Sequence, residues 1–110
     1  MATITRKCLG QSAPNATTET TLYTVPASTS AVCSSITVCN RATSPATFRV
    51  SVSVGGGATA TKDYLYYDLP LPANDTFTAT IGVCLATTDK VKVYSSTANL
   101  SFNLFGEELS

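Results

Sequence analysis

Thr47-Phe48-Arg49-Val50-Ser51-Val52-Ser53-Val54 alternates apolar with small or polar side chains. A period of two belongs to a strand with one buried face. Phe48, Val50, Val52 and Val54 form the core side, and Thr47, Arg49, Ser51 and Ser53 face solvent or a partner. The run ends at Gly55-Gly56-Gly57, a flexible turn. No Gly-Lys-Ser/Thr follows it and no helical pattern begins there, so it is not a phosphate loop.

Working outward, the same period recurs. Phe77, Ala79, Ile81 and Val83 alternate with Thr76, Thr78, Thr80 and Gly82, while Leu100, Phe102 and Leu104 alternate with Asn99, Ser101 and Asn103. Val32, Ile36 and Val38 share a parity in residues 32–40, and the turn Asn40 to Pro45 leads on to the first strand. Residues 32–54 are therefore expected to form an antiparallel hairpin. A last hairpin is expected from Val91–Tyr94 and the strand from Leu100, with Ser95–Ala98 at its tip. Tyr64–Leu69 and Thr21–Val25 read as further strands, and residues 3–9 as a short one before a loop. Leu69-Pro70-Leu71-Pro72-Ala73-Asn74-Asp75 marks a sheet switch or an edge, because proline fixes φ and cannot donate to a ladder. Seven or eight short strands with turn residues between them predict an all-β fold, an antiparallel β-sandwich or small jelly roll. It is read as one domain over 21–110, with residues 1–20 as an N-terminal arm of short strand and loop.

Composition narrows the function. The chain has 110 residues with no His and no Trp, seven basic and seven acidic side chains, and 31 Ser plus Thr. Without imidazole, and with Glu19, Asp63, Asp68, Asp75, Asp89, Glu107 and Glu108 in no spacing that pairs two on a strand face, acid-base catalysis lacks its parts. The reading is a non-enzyme with no catalytic, cofactor-binding or metal residues. Asp75 and Asp89 read as turn residues that bond nearby backbone. No basic run exists to neutralise phosphates, so nucleic acid is not an expected partner. Nor is a membrane, since Met1 to Cys8 carries no continuous apolar stretch.

Cys8, Cys33, Cys39 and Cys84 are expected as free thiols, because the chain carries no export signal and is long enough to fold without staples. On one regular strand Cys33 and Cys39 would share a face about 20 Å apart, beyond disulfide reach. Their spacing contains no zinc knuckle. Tyr64 and Tyr66 are expected on one strand face and Tyr67 on the other with Leu65; a carbohydrate- or receptor-binding use of these rings is the competing reading. The outward strand faces are rich in Thr, Ser, Asn and Tyr, with few Lys or Glu. That suits burial against neighbouring copies as well as it suits a Thr-rich solvated sheet.

Leu9-Gly10-Gln11-Ser12-Ala13-Pro14, Leu22-Tyr23-Thr24-Val25-Pro26, Tyr67-Asp68, Asn74-Asp75-Thr76, Tyr94-Ser95-Ser96 and Asn99 to Glu108 lie along nearly the whole chain. In their order and spacing they resemble a family of small β-rich virion structural proteins of tailed bacteriophages, of the marine and cyanobacterial phage type. Cys8, Cys84 and the triple glycine depart from that pattern. The resemblance implies a virion part assembled in the host bacterial cytoplasm, and no catalytic residues come with it. The expected role is a capsid decoration or cement protein on the outer head surface, in contact with the phage major capsid protein. The alternative is a tail, neck, baseplate or fibre component with a receptor- or glycan-binding knob. A homotrimer is expected by analogy with virion proteins of this size, and the loops around Thr43, Gly57 and Thr97 with the N-terminal arm are the expected contact regions.

Overall fold

A computed structural model describes residues 3–110. Period-two sequence becomes eight strands: β1 (Ile4–Ser12), β2 (Thr20–Thr24), β3 (Ser30–Asn40), β4 (Ala46–Ser53), β5 (Tyr64–Leu71), β6 (Thr76–Leu85), β7 (Lys90–Ser95) and β8 (Leu100–Leu109). The remaining regular elements among the described residues are two single 3-10 turns, Val54–Gly56 and Thr61–Asp63. The strands form two antiparallel four-stranded sheets, ordered β1-β8-β3-β6 and β2-β7-β4-β5. Most connections pass from one sheet to the other, and this order is that of an eight-stranded jelly roll, as expected for an all-β sandwich.

The inward faces meet in one core. Phe48 and Val50 of β4, Ile36 and Val38 of β3, Val93 of β7, and Leu100, Phe102 and Leu104 of β8 are completely or almost completely buried. Each such side chain contributes roughly 1.5–3 kcal/mol by leaving water. Phe48 lies at the centre, its ring 5.3 Å from Phe77, 6.1 Å from Phe102 and 6.3 Å from Tyr66 between centroids. These tilted and edge-on contacts join both sheets through one side chain.

Two expected hairpins are not formed. β3 pairs with β6 and β8, and β4 pairs with β5 and β7, so residues 32–54 cross the sandwich instead of folding back within one sheet. The same holds for β7 and β8. The physical reason is that each of these strands buries one face only. Two one-faced strands satisfy that need equally well side by side or facing each other, and the connections at 41–45 and 96–99 are long enough to span the gap. The stretch 69–75 does both things expected of it. Pro70 sits on the edge strand β5, and the chain then switches sheets to β6.

Parity in β3 also departs from expectation. A register shift between Cys33 and Ser35 turns Ala31 and Cys33 inward before it, and Ile36, Val38 and Asn40 inward after it. Cys33 is therefore buried and Val32 exposed, and Cys33 and Cys39 lie on opposite faces. A bulge inserts a residue and so exchanges the faces beyond it. The segment expected as an arm is laid along the domain from residue 4. β1 pairs with β8 from Ile4 opposite Leu109 to Ser12 opposite Phe102. Met1 and Ala2 lie outside the described residues.

Candidate functional site

Alternating strand direction places four connections at one end of the sandwich and three at the other. At the first end, Arg41 N–H donates to Asn99 O at 3.0 Å, Arg41 Nη2 to Ala98 O at 3.0 Å, Asn74 N–H to Ala42 O at 3.0 Å and Thr17 N–H to Ser95 O at 2.8 Å. The loops around Thr43 and Thr97 thus form one continuous surface with residues 13–19 and 72–75. Asn40 holds it from beneath. It is buried, its Nδ2 donates to Ser44 O, Leu71 O and Pro72 O, and its Oδ1 accepts Ala42 N–H at 3.0 Å.

The loop around Gly57 belongs to the opposite end, with Thr3 and Ser110. Asp89, also buried, accepts from Gly55 N–H at 2.8 Å and Ala86 N–H at 3.0 Å. Asp75 accepts from Thr76 N–H at 2.8 Å. Both aspartates bond nearby backbone as their sequence setting implied. What the sequence did not reveal is that Asp89 ties the β4–β5 loop to the β6–β7 loop, since Gly55 is remote in the chain. That loop then folds over the outer face of the β2-β7-β4-β5 sheet, where Lys92 Nζ donates to Gly57 O at 2.8 Å and Thr59 Oγ1 to Glu19 Oε1 at 2.9 Å. Ser51 and Ser53, outward by parity, are buried beneath it.

On the same outer face Arg49 lies between two rings, its Cζ 4.3 Å from the centroids of both Tyr67 and Tyr94. Its Nε donates to Asp68 Oδ1 at 2.7 Å and Nη2 to Oδ2 at 3.3 Å, a two-point pair. The tyrosines do not divide as expected. Tyr66 points inward against Phe48 and Phe77, whereas Tyr64 meets Tyr67 edge-on at 4.8 Å. The cause is local. Register shifts flank Val50 in the β4–β5 pairing, and the backbone is left-handed at Asp68 (φ 50°). Tyr67 is 58% exposed, yet Arg49 and Tyr64 already engage its ring, which leaves less of it for stacking on a sugar.

Where the sheets meet near the termini, the Tyr23 hydroxyl of β2 donates to Glu108 Oε2 of β8, and Lys7 Nζ lies 3.1 Å from Glu108 Oε1. The bond from Tyr23, followed by Lys7, holds the Glu108 carboxyl below the usual carboxylate range. Burial, reinforced by Glu108, pushes the Tyr23 phenol well above its ordinary value. The consequences for stability have opposite signs. Glu108, with its depressed folded pKa, contributes fully above its unfolded value of about 4.3 and loses the contribution as pH falls through the folded value. Tyr23, with a raised pKa, contributes below about 10 and loses that as pH rises. Urea midpoints across pH should fall on both limbs, and Glu108→Gln should flatten the acid limb; an unchanged acid limb would show that the carboxylate is not coupled to folding.

All four cysteines are free thiols. Cys8 and Cys84 are exposed, and burial, then the neighbouring Cys84, pushes Cys33 up to about 11. A thiol reagent near neutral pH should therefore label Cys8 and Cys84 in the native protein and Cys33 only after unfolding, because the thiolate is the reacting form. Early native labelling of Cys33, read by peptide mass spectrometry, would contradict this burial. Among the described residues no group of three or more His, Cys, Asp or Glu side chains could hold a metal ion. No helix there is long and apolar enough to cross a membrane.

No known protein-family profile matches the chain, and no curated protein matches it. Solved structures do. The chain is similar over 99% of its length to a chain in the structure of infectious bursal disease virus Gx strain, with 14% identity and a TM-score of 0.57. It is similar over 99% to one in the T13 particle of the same virus, with 12% identity and a TM-score of 0.59. It spans only 32% and 30% of those chains. A chain in the acidic stable capsid structure of Helicobacter pylori bacteriophage KHP30 is matched over 100% of this chain and 94% of its own, with 18% identity and a TM-score of 0.50. At these identities the likeness is one of fold.

Proposed function

We propose that this protein is a structural component of a virion and that it decorates or cements the outer surface of a phage head, bridging neighbouring coat subunits. One observation carries the reading: the jelly roll takes up essentially the whole chain, and a phage-capsid chain is similar to it over nearly the full length of both. The sequence resemblance to phage virion proteins points the same way. Cementing needs contact area spread over several neighbours, since many modest contacts repeated over a shell sum to a large stabilisation. The continuous loop surface built on Asn40 offers such an area, and no catalytic chemistry is required of it. Assembly in a bacterial cytoplasm is consistent with four free thiols.

The test is stoichiometry. Quantitative mass spectrometry of purified particles should find this chain in a ratio to the major coat protein well above about one in ten, as repeated shell contacts demand. A ratio far below that overturns the cement role and favours a tail, neck, baseplate or fibre position.

A further inference from the structure

We propose that β6 is an interface at which a second copy of this chain adds its own β6, antiparallel, across a twofold axis, joining two four-stranded sheets into one of eight strands. The two sheets have four edges, β1 and β6 in one and β2 and β5 in the other. Unpaired strand edges invite another chain unless they are short, charged, interrupted by proline or covered. β1 and β2 protect each other. β1 carries Arg6 and Lys7, paired to Glu107 and Glu108 of β8, and it lies so close to the five-residue β2 that a Cβ on Gly10 would come within 2.3 Å of Leu22 O. β5 is broken by Pro70, by left-handed Asp68 and by two register shifts. β6 has none of these along Thr76–Thr80. It contains no charge and no proline, and its irregularity, a register shift over Thr80–Val83 with left-handed Gly82, comes at the end of that run.

The same side of the sandwich is the one left incompletely closed. Phe77, Ala79, Ile81 and Val83 of β6, with Tyr66 and Leu69 of β5, pack against the core but stay partly exposed, whereas Leu9, Leu22 and Tyr23 on the β1–β2 side are buried. A shallow hollow of about 740 Å³ continues the opening past Leu65, Val83 and Val54, the last 80% exposed. A strand added at β6 would complete both the hydrogen-bond ladder and the apolar layer.

Self-complementarity identifies the occupant. An antiparallel pairing centred on Thr78, the midpoint of Thr76–Thr80, sets Thr76 of one copy opposite Thr80 of the other on the outer face and Phe77 opposite Ala79 on the inner one. Neutral Thr–Thr and apolar pairs are favourable cross-strand neighbours, and a formal net charge of zero adds no repulsion between copies. The contact is isologous, as a twofold requires.

Sedimentation velocity and hydrogen exchange on the purified protein test this independently of where it sits in a virion. The wild-type chain should form dimers whose amides at 76–80 gain protection with concentration. Thr76 and Thr80 are exposed, so T76K/T80K and T76E/T80E should fold, as circular dichroism can verify. Each double variant alone should associate about tenfold more weakly, and an equimolar mixture should regain dimers, because the two like-charge pairs become opposite-charge pairs. A wild-type monomer at all accessible concentrations overturns the proposal. So does a trimer, a dimer whose residues 76–80 exchange freely, or variants that associate as the wild type does.

Discussion

Phe48→Ala is expected to destabilise the domain by about 3–5 kcal/mol, the range for removing a fully buried phenylalanine ring. Phe48 has no exposed surface, and its ring meets Phe77 and Phe102 of the facing sheet as well as Tyr66 of its own sheet neighbour β5. The void would open between two layers held apart by many other side chains, so little of it can be closed by relaxation. Against a total stability of about 5–15 kcal/mol for a domain of this kind, that loss is severe. Urea unfolding followed by far-UV circular dichroism should show it as a large drop in midpoint. Phe77→Ala, at a ring already partly exposed on β6, should cost clearly less. Equal losses at the two positions would mean that the core is not centred where the sheets meet at Phe48.

The sequence legibly announced which residues are strands, because a one-faced strand writes its burial into a period of two. Thr47–Val54 and Thr76–Val83 were readable to within two residues of β4 and β6. Which strand pairs with which was not readable, since the apolar face of β3 or β7 looks the same whether its partner lies beside it or across the core. Bulges were invisible for a related reason. Ser34-Ser35 in β3 carries no polarity contrast that would mark an inserted residue, so strict alternation puts Cys33 and Val32 on each other's faces. Among the interaction surfaces, the turn roles of Asp75 and Asp89 could be inferred from their neighbours. The Arg49 sandwich and the Tyr23–Glu108 bond could not, as each joins groups brought together by strand pairing or sheet packing. Gly10 and Gly106 stand inside the segments that carry the phage-protein resemblance, and there the sequence held a signal whose meaning only the backbone supplies.

Gly106→Ala is accordingly expected to cost about 3 kcal/mol, at the upper end of the usual penalty for forcing added volume into a packed site. A Cβ at Gly106 would stand 2.0 Å from Val32 O, 3.0 Å from Val32 C and 3.1 Å from Cys33 Cα. All three are backbone atoms of β3, so no side chain can swing aside to make room. The crowding arises because β3 has one more residue than β8 between the pairs Cys33–Gly106 and Ser35–Phe105. The irregularity continues across the sheet. β1 shifts register between Cys8 and Gly10, and β6 accommodates an extra residue near left-handed Gly82. One line of irregularities thus crosses the β1-β8-β3-β6 sheet, exchanging the inner and outer faces of β3 and ending the straight part of β6. A methyl group at Gly106 strikes that line at its tightest point. Gly57→Ala is the matched control: its φ is −74° and nothing lies within 4 Å of its Cβ position, so its effect should stay within about 0.5 kcal/mol. Chemical denaturation of the pair decides the matter, because if Gly106→Ala is as mild as Gly57→Ala, β3 and β8 do not approach as closely as this register requires.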